Sequence, residues 1–415
     1  MQDKKILILS FYYTPDLCAG SFRTAALIEA LQARAKKNDV SIHLITTMPN
    51  RYHHFKMQAK AHEELDHLTI DRIELPDHHS GFIDQAKAFA RYFFTTRCLI
   101  KNKKYDCVFA TSSRLLTAFL GAIISRKQNC PLFLDMRDIF TETMESILPT
   151  YLKKILLPIF NLIERYTLKR AARLNLVSPG FTEYFSSKIN PQCKILQISN
   201  GVDACFNNLN LQVSILNHPI RVLYAGNIGE GQGIEKIIPT FAEKTKELCI
   251  IRIIGSGGKL NALRAACENN CSIALIEPMS RSELMMEYQK SDILFLHLNN
   301  YDAFLKVLPS KIFEYAMMGK PILAGVAGYS AAFLKQHVPW AHVFLPCNAS
   351  DAFKKLNEII NNHDAVSSKD TTNFYQQFNR ETLMNQLANE IMTCTQNEKK
   401  AHDFSEQSLR DEINS

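Results

Sequence analysis

Several protein classes are excluded by what this 415-residue chain lacks. Its eleven cysteines include no C-x-x-C pair, which argues against a disulfide framework or a zinc ribbon. Cys267 and Cys271 lie four apart with no second pair nearby, so reduced cytosolic thiols, and a cytoplasmic protein, are the simpler reading. Six histidines fall between His53 and His79 (His53, His54, His62, His67, His78, His79). They show no H-E-x-x-H spacing, are read as loop residues, and predict no metal site. No G-x-S-x-G nucleophile motif is present. Neither is an uncharged apolar run of about 18 residues, so no membrane-spanning helix is expected. The apolar start KKILILSF is too short for a secretory leader and reads as a first strand. A net charge of +7 is too weak to argue for nucleic acid but suits anionic ligands or an anionic lipid surface.

What is present is an ordinary globular composition, 46% hydrophobic and 21% charged, long enough for two or three domains. Short apolar runs at 4–11, 40–48, 106–112, 131–138, 175–180 and 194–201 read as buried parallel strands, and 22–37 has the helical period between two of them. The pattern restarts after Asn217, with strands expected at 220–229, 249–258, SIALIEPM, DILFLHLN and KPILAGV. Strands alternating with helices predict an α/β chain with two parallel-sheet, Rossmann-like domains. The expected division is 1–205 and 206–373, with a helix at 374–394 returning to the first domain and a charged tail at 395–415. In such folds ligands bind at the carboxyl ends of the strands.

The motifs fall there. LPSKIFEYAMMGKP (308–321) sets Ser310 as a helix cap and Lys311 and Glu314 one turn apart. A cation at a helix start is compensated by a bound anion such as a diphosphate, and Glu314 can accept from hydroxyls such as a ribose diol. An amphipathic helix with a solvated Lys and Glu explains the same residues. AGNIGEGQGI (225–234) and IIGSGGKL (253–260) are two strand–glycine–helix junctions, the second followed by Lys259. They lack the dinucleotide spacing and read equally as tight turns. In the first half, Gly20 and Ser21 open a helix, and Arg23 in its first turn favours an anion nearby. Asp135, Arg137, Asp138 and Glu142 end a strand, as acid–base or hydroxyl-binding groups or as an internal Arg–Asp pair. Segments 86–105 and 148–173 mix aromatics with lysine and arginine. They read either as surface helices for an anionic bilayer or as ordinary packed helices.

Taken in order, YYTPDLCAGSFRTAAL, LDMRDIF, LVSPGF, ISNGVD, YAGNIGEGQGIE, IGSGG and LPSKIFEYAMMGKP resemble the retaining glycosyltransferases of the GT-B fold in family 4. The closest branch is the bacterial O-antigen and capsule polysaccharide one, and the likeness runs from about Lys5 to Thr393. The resemblance implies a GT-B fold and a hexosyl- or N-acetylhexosaminyl-transferase. A UDP-sugar donor would bind the second domain and a glycan or polyprenyl-linked acceptor the first, in lipopolysaccharide-type synthesis at the inner face of the plasma membrane. It implies no metal or other cofactor.

On this likeness Asn227, Gly229, Gln232, Gly233, Gly255 and Lys259 attend the diphosphate and sugar, and Ser310 and Lys311 hold the diphosphate. Glu314 takes the ribose, Pro278 lies by the base, and Gly20 supports the phosphate. Asp138, Lys306 and Glu314 are the catalytic candidates; Arg23, Arg137, Asp138 and Glu142 face the acceptor. The sequence departs from the pattern at Lys306, where the family has the first glutamate of E-x7-E. It departs again at Asn227 and Gln232, where many members have Arg and Lys, and at Ile139-Phe140-Thr141, where the branch has Trp-Pro. Lys306 implies an unusual or anionic sugar, or lost activity. The alternatives are a nucleotide-sugar epimerase of similar fold and a non-catalytic nucleotide-sugar-binding subunit.

Overall fold

A computed structural model of the chain describes residues 4–49, 58–76, 82–112, 115–207, 218–268, 270–361 and 368–397. His53, His54, His78, His79 and most of the charged tail lie outside them. The chain divides into two compact units, Met1–Ser199 with Glu381–Ser415, and Asn200–Arg380. The crossings therefore fall at 199/200 and 380/381, against the expected 205/206 and 373/374.

The first unit is built on eight strands: β1 (Lys4–Leu9), β2 (Val40–Thr47), β3 (His62–Leu65), β4 (Leu68–Ile73), β5 (Cys107–Thr111), β6 (Leu132–Met136), β7 (Ala171–Leu176) and β8 (Lys194–Leu196). Their order is β3-β4-β2-β1-β5-β6-β7-β8, parallel throughout except for β3, which runs antiparallel to β4. The central strands are continuous apolar runs because helices cover both faces. Those helices are α1 (Ala19–Asn38), α2 (Phe82–Leu99), α3 (Leu115–Gln128), α4 (Phe140–Ile147), α5 (Thr150–Arg170) and the short α6 (Thr182–Ser186).

The β3–β4 hairpin corrects the loop reading of the histidine segment. His62 stands on a strand, and its Nδ1 lies 2.7 Å from Asp71 Oδ1. The alternation is faint there because β3 is an exposed edge strand.

The second unit has six parallel strands, β9 (Ile220–Ala225), β10 (Cys249–Ile254), β11 (Ile273–Ile276), β12 (Ile293–His297), β13 (Ile322–Gly325) and β14 (Ala341–Phe344), in the order β11-β10-β9-β12-β13-β14. The helices between and after them are α7 (Ile234–Lys244), α8 (Leu260–Cys267), α9 (Arg281–Lys290), α10 (Lys311–Met317), α11 (Gly328–His337), α12 (Ala349–Asn361) and α13 (Ser368–Phe378). Two apolar clusters sandwich the sheet, one under α10 and α11, the other under α7, α8 and α12.

The single helix expected over 374–394 is two. Phe374 and Phe378 of α13 pack on Phe313 and Phe333 in the second unit. The next helix, α14 (Arg380–Asn397), buries Met384, Leu387, Ala388, Ile391 and Met392 against β1, β2 and α1 of the first unit. Each of the methionine, leucine and isoleucine side chains among them contributes about 1.5–3 kcal/mol of transfer free energy where fully buried.

Candidate functional site

In the second unit the strands deliver two glycine loops to one end of the sheet. The loop after β9 runs from Gly226 to Gly233 and opens α7, whose cap Gly233 has φ +57°. A side chain there would strain the backbone. The loop after β10 lies directly against it. A Cβ on Gly255 would meet the carbonyl oxygen of Gly226 at 1.9 Å, so this glycine is required by contact between the loops. The backbone continues the join, with Ile228 N–H donating to Ser256 O at 3.0 Å and Lys259 N–H to Ile228 O at 2.9 Å.

Charged side chains lock the same loops. Glu230 accepts from Lys259 Nζ at 2.6 Å and from the Tyr301 hydroxyl at 2.5 Å. Chiefly through Lys259 and Tyr301, its carboxyl is lowered to about 2. Lys259, expected on the diphosphate, is thus paired with a protein carboxylate, and Glu230 holds its charge above the ordinary lysine range. Asn227 Nδ2 donates to Gln232 Oε1 at 2.8 Å. His297, at the end of β12, donates from Nδ1 to the Gln232 carbonyl at 2.6 Å and accepts the Cys347 N–H on Nε2 at 2.9 Å. That bonding requires the neutral ring, and burial lowers its pKa to about 4.

Below the loops, the Tyr315 hydroxyl accepts the Ala225 N–H at 3.1 Å and anchors α10 to the end of β9. Ser310 occupies the cap position, but its hydroxyl makes no cap bond because its backbone is already helical. Lys311 and Glu314 were expected to face separate parts of a nucleotide. They bond each other at 2.9 Å. Tyr288 of α9 completes a triangle, its hydroxyl accepting from Lys311 Nζ at 2.9 Å and donating to Glu314 Oε2 at 3.1 Å.

Burial works against both charges. For Lys311 the adjacent Glu314 outweighs it and raises the pKa. For Glu314, Lys311 and then Arg281 outweigh it and lower the pKa. Both groups are therefore charged near neutrality. Glu314 Oε1 faces Arg281 at 3.9 Å, too long for a hydrogen bond. Pro278 lies in the loop after β11, and the half-buried Lys306 precedes α10.

In the first unit the expected residues separate into two groups. Arg23 is 2% exposed and grips Asp135 with two bonds of 2.9 Å. Nη2 also donates to the carbonyl of Ile198 and Nη1 to that of Ser199, and Asn175 Nδ2 donates to Asp135 Oδ1 at 2.7 Å. The anion beside Arg23 is Asp135, and the guanidinium fork is engaged by Asp135 and two backbone carbonyls.

Gly20, Arg137, Asp138 and Glu142 form the other group. An added Cβ on Gly20 would lie 3.2 Å from Arg137 Nη1, so this guanidinium stands at the start of α1. Asp138 Oδ1 is buried without a hydrogen-bond partner. Burial raises its carboxyl to about 6, with Arg137 opposing and Glu164 reinforcing the shift. Glu142 sits half-buried in the first turn of α4.

The geometry of the second unit now has a counterpart. Residues 212–382 match the family described as Glycosyl transferases group 1. This supports the expected enzyme class, a glycosyltransferase. No curated protein matches the chain. Among solved structures, sucrose-phosphate synthase from Thermosynechococcus elongatus superposes with a TM-score of 0.71 at 12% identity, covering 94% of this chain and 99% of that one. The HepE protein of Anabaena in complex with UDP-glucose gives 0.65 at 14% identity, with 94% and 99% covered. WaaG, a glycosyltransferase involved in lipopolysaccharide biosynthesis, gives 0.63 at 12%, with 93% and 99% covered. The fold is that of the GT-B glycosyltransferases.

Sequence reasoning missed Tyr288, Arg281, His297 and Asn299, whose Nδ2 donates to the Glu230 carbonyl at 2.8 Å. None belongs to a motif. Each reaches the loops or α10 from an element remote in sequence. Glu230 was visible as the one acid in the first glycine run, but nothing local showed that Lys259 would meet it.

Proposed function

We propose that the chain is a retaining glycosyltransferase. It moves a sugar from a nucleotide-diphosphate sugar, with UDP as the nucleotide, to a glycan or polyprenyl-linked acceptor of bacterial surface polysaccharide. The observation that carries this reading is the Lys311–Glu314–Tyr288 triangle beneath two interlocked glycine loops, inside the segment matched by the glycosyltransferase family. UDP-glucose in the Anabaena protein and the lipopolysaccharide role of WaaG support the donor and the pathway class.

In this mechanism a diphosphate takes the positive charge of Lys311, and the ribose diol donates to Glu314. The leaving diphosphate gains negative charge as the sugar departs. Lys311 and the first-turn amides of α7 stabilise it without needing a metal ion. Asp138, whose carboxyl burial raises to about 6, exchanges a proton or a hydrogen bond with a sugar hydroxyl. Arg137 adjoins it in the chain and opposes its shift, and Glu142 follows in the first turn of α4. Lys306 in place of the family's glutamate favours a donor sugar carrying negative charge.

The acceptor's lipid would hold the enzyme at an anionic bilayer, and α5 supplies the surface for it. Along it Tyr151, Ile155, Ile159 and Leu162 follow one another at helical spacing and are exposed by 69%, 64%, 49% and 68%. Lys153, Lys154 and Arg165 flank them, with no acidic residue from Ser146 to Ile163. By contrast α2 turns Phe89 and Tyr92 inward and leaves only Phe94 exposed among its described aromatics. No described helix is long and apolar enough to cross a membrane.

Calorimetry with UDP, GDP and ADP tests the donor site. Selective binding of UDP is expected, weakened about tenfold or more in Lys311→Ala and Glu314→Ala through loss of charge-assisted bonds. No binding of any nucleotide would overturn the reading.

A further inference from the structure

The nucleotide site proposed above is tied to the two segments where the chain passes between its units. At these crossings Val202 N–H donates to Phe378 O at 2.8 Å, and Arg380 N–H to Val202 O at 2.9 Å. The Arg380 guanidinium reinforces the join. It donates to the carbonyls of Asn200 and Gly201 at 3.0 Å each and meets Asp203 at 2.5 Å. Asp203 also accepts from Arg281. Arg281 is the first residue of α9, lies over the Phe206 ring at 5.5 Å, and faces Glu314 Oε1 at 3.9 Å. One guanidinium therefore stands between the crossing carboxylate and the carboxylate of the nucleotide site.

We propose that Arg281 is a positioning residue for Glu314, holding its Oε1 where it accepts the ribose hydroxyls of the donor and linking that oxygen through Asp203 to the paired crossings. The inference rests on the nucleotide reading above. Its physical basis is the division of labour on the carboxylate. Lys311 and Tyr288 hold Oε2 by direct hydrogen bonds, which leaves rotation about the carboxylate axis to be set from the Oε1 side. Among the described residues, Arg281 is the cation within 4 Å of that oxygen. It is itself fixed by Asp203, whose other oxygen is fixed by Arg380. A planar fork braced in this way resists rotation better than a lone ammonium would.

The position of Arg281 also separates its role from that of Lys311. Lys311 faces the diphosphate, so its loss weakens binding of any nucleoside diphosphate. Loss of Arg281 affects chiefly the part of the affinity that depends on ribose hydroxyls. That difference can be read directly.

The experiment compares UDP with 2′,3′-dideoxy-UDP by calorimetry in the full chain and in the variants Arg281→Gln, Arg281→Lys and Glu314→Gln. In the unaltered protein the dideoxy compound should bind about tenfold or more weakly, the cost of stranding a charged acceptor without its donors. Glu314→Gln should shrink this discrimination. Arg281→Gln should shrink it to within about threefold, while Arg281→Lys, which keeps the charge, should recover part of it. If Arg281→Gln weakens both ligands equally and leaves the discrimination intact, Arg281 is only a structural brace and the proposal falls. If the unaltered protein binds UDP but does not discriminate, the Glu314 ribose contact and this inference fall while the diphosphate site stands. If it binds neither, the nucleotide reading falls and takes the inference with it.

Discussion

His297 Nδ1 lies 2.6 Å from the carbonyl oxygen of Gln232, and its Nε2 takes the Cys347 N–H at 2.9 Å. A buried neutral imidazole thus fastens the glycine loop to the segment after β14. The ring stays neutral in the fold down to about pH 4, whereas an unfolded histidine takes its proton near 6.5. Between those values the unfolded chain binds more protons, so stability present above pH 6.5 is lost as the pH falls towards 4. The loss is up to about 3 kcal/mol. Urea midpoints at pH 7.5 and 4.5 should diverge in the unaltered chain. The gap should narrow in His297→Gln, which also starts from a lower midpoint because it leaves buried partners unpaired. An unchanged gap would show that His297 does not carry the acid sensitivity.

Asp138 behaves with the opposite sign. Its folded pKa of about 6 exceeds the unfolded value of 3.8, so the folded state binds the extra proton. The carboxyl costs nothing below 3.8, and the cost grows as the pH rises to 6, reaching up to about 3 kcal/mol. Asp138→Asn should therefore raise the melting temperature at pH 7.5, do little at pH 4, and reduce sugar transfer. A gain in stability with undiminished transfer would remove Asp138 from the chemistry.

Gly255 and Gly258 sit three residues apart in one loop but differ in what surrounds them. A Cβ on Gly255 meets Gly226 O at 1.9 Å, while one on Gly258 meets nothing within 4 Å. Gly255→Ala should cost about 2 kcal/mol or more and weaken nucleotide binding by parting the two loops. Gly258→Ala should stay within about 0.5 kcal/mol, as surface changes do. Chemical denaturation of both variants checks this. Equal effects would show that loop contact does not set the requirement.

The apolar stripe on α5 predicts sedimentation of the chain with vesicles containing phosphatidylglycerol and little with pure phosphatidylcholine. Added salt should weaken the attachment. Ile155→Ser with Leu162→Ser should abolish it without lowering the melting temperature, because both side chains are exposed. If the double variant instead converts a dimer to a monomer and leaves sedimentation unchanged, the stripe serves self-association.

Much of the fold was legible because its signals are local. Buried parallel strands are short apolar runs, and β1, β2, β5, β6, β9, β10 and β12 lie within the runs read as strands. The β3–β4 hairpin was not legible, because an exposed edge strand buries too little to impose alternation. The i,i+3 spacing of Lys311 and Glu314 was legible too, as was their place at a helix start. That they would bond each other and share Tyr288 was not, because Tyr288 arrives from α9, 23 residues away from Lys311.

The sequence by itself determined two parallel-sheet units, glycine loops at their strand ends, and a lysine and a glutamate one turn apart at a helix start. These follow from periodicity and from backbone demands within a few residues. Only the tertiary structure decided which charges face inward. Arg23 and Asp135 are 112 residues apart, and they pair because the fold brings the first turn of α1 to the carboxyl end of β6, where Asp135 stands. The same packing left Asp138 without a partner for Oδ1 and the α5 stripe in the open. Partnership between distant side chains depends on which strands become neighbours and which helix faces they cover. Sheet order and packing set both, and no local pattern encodes either.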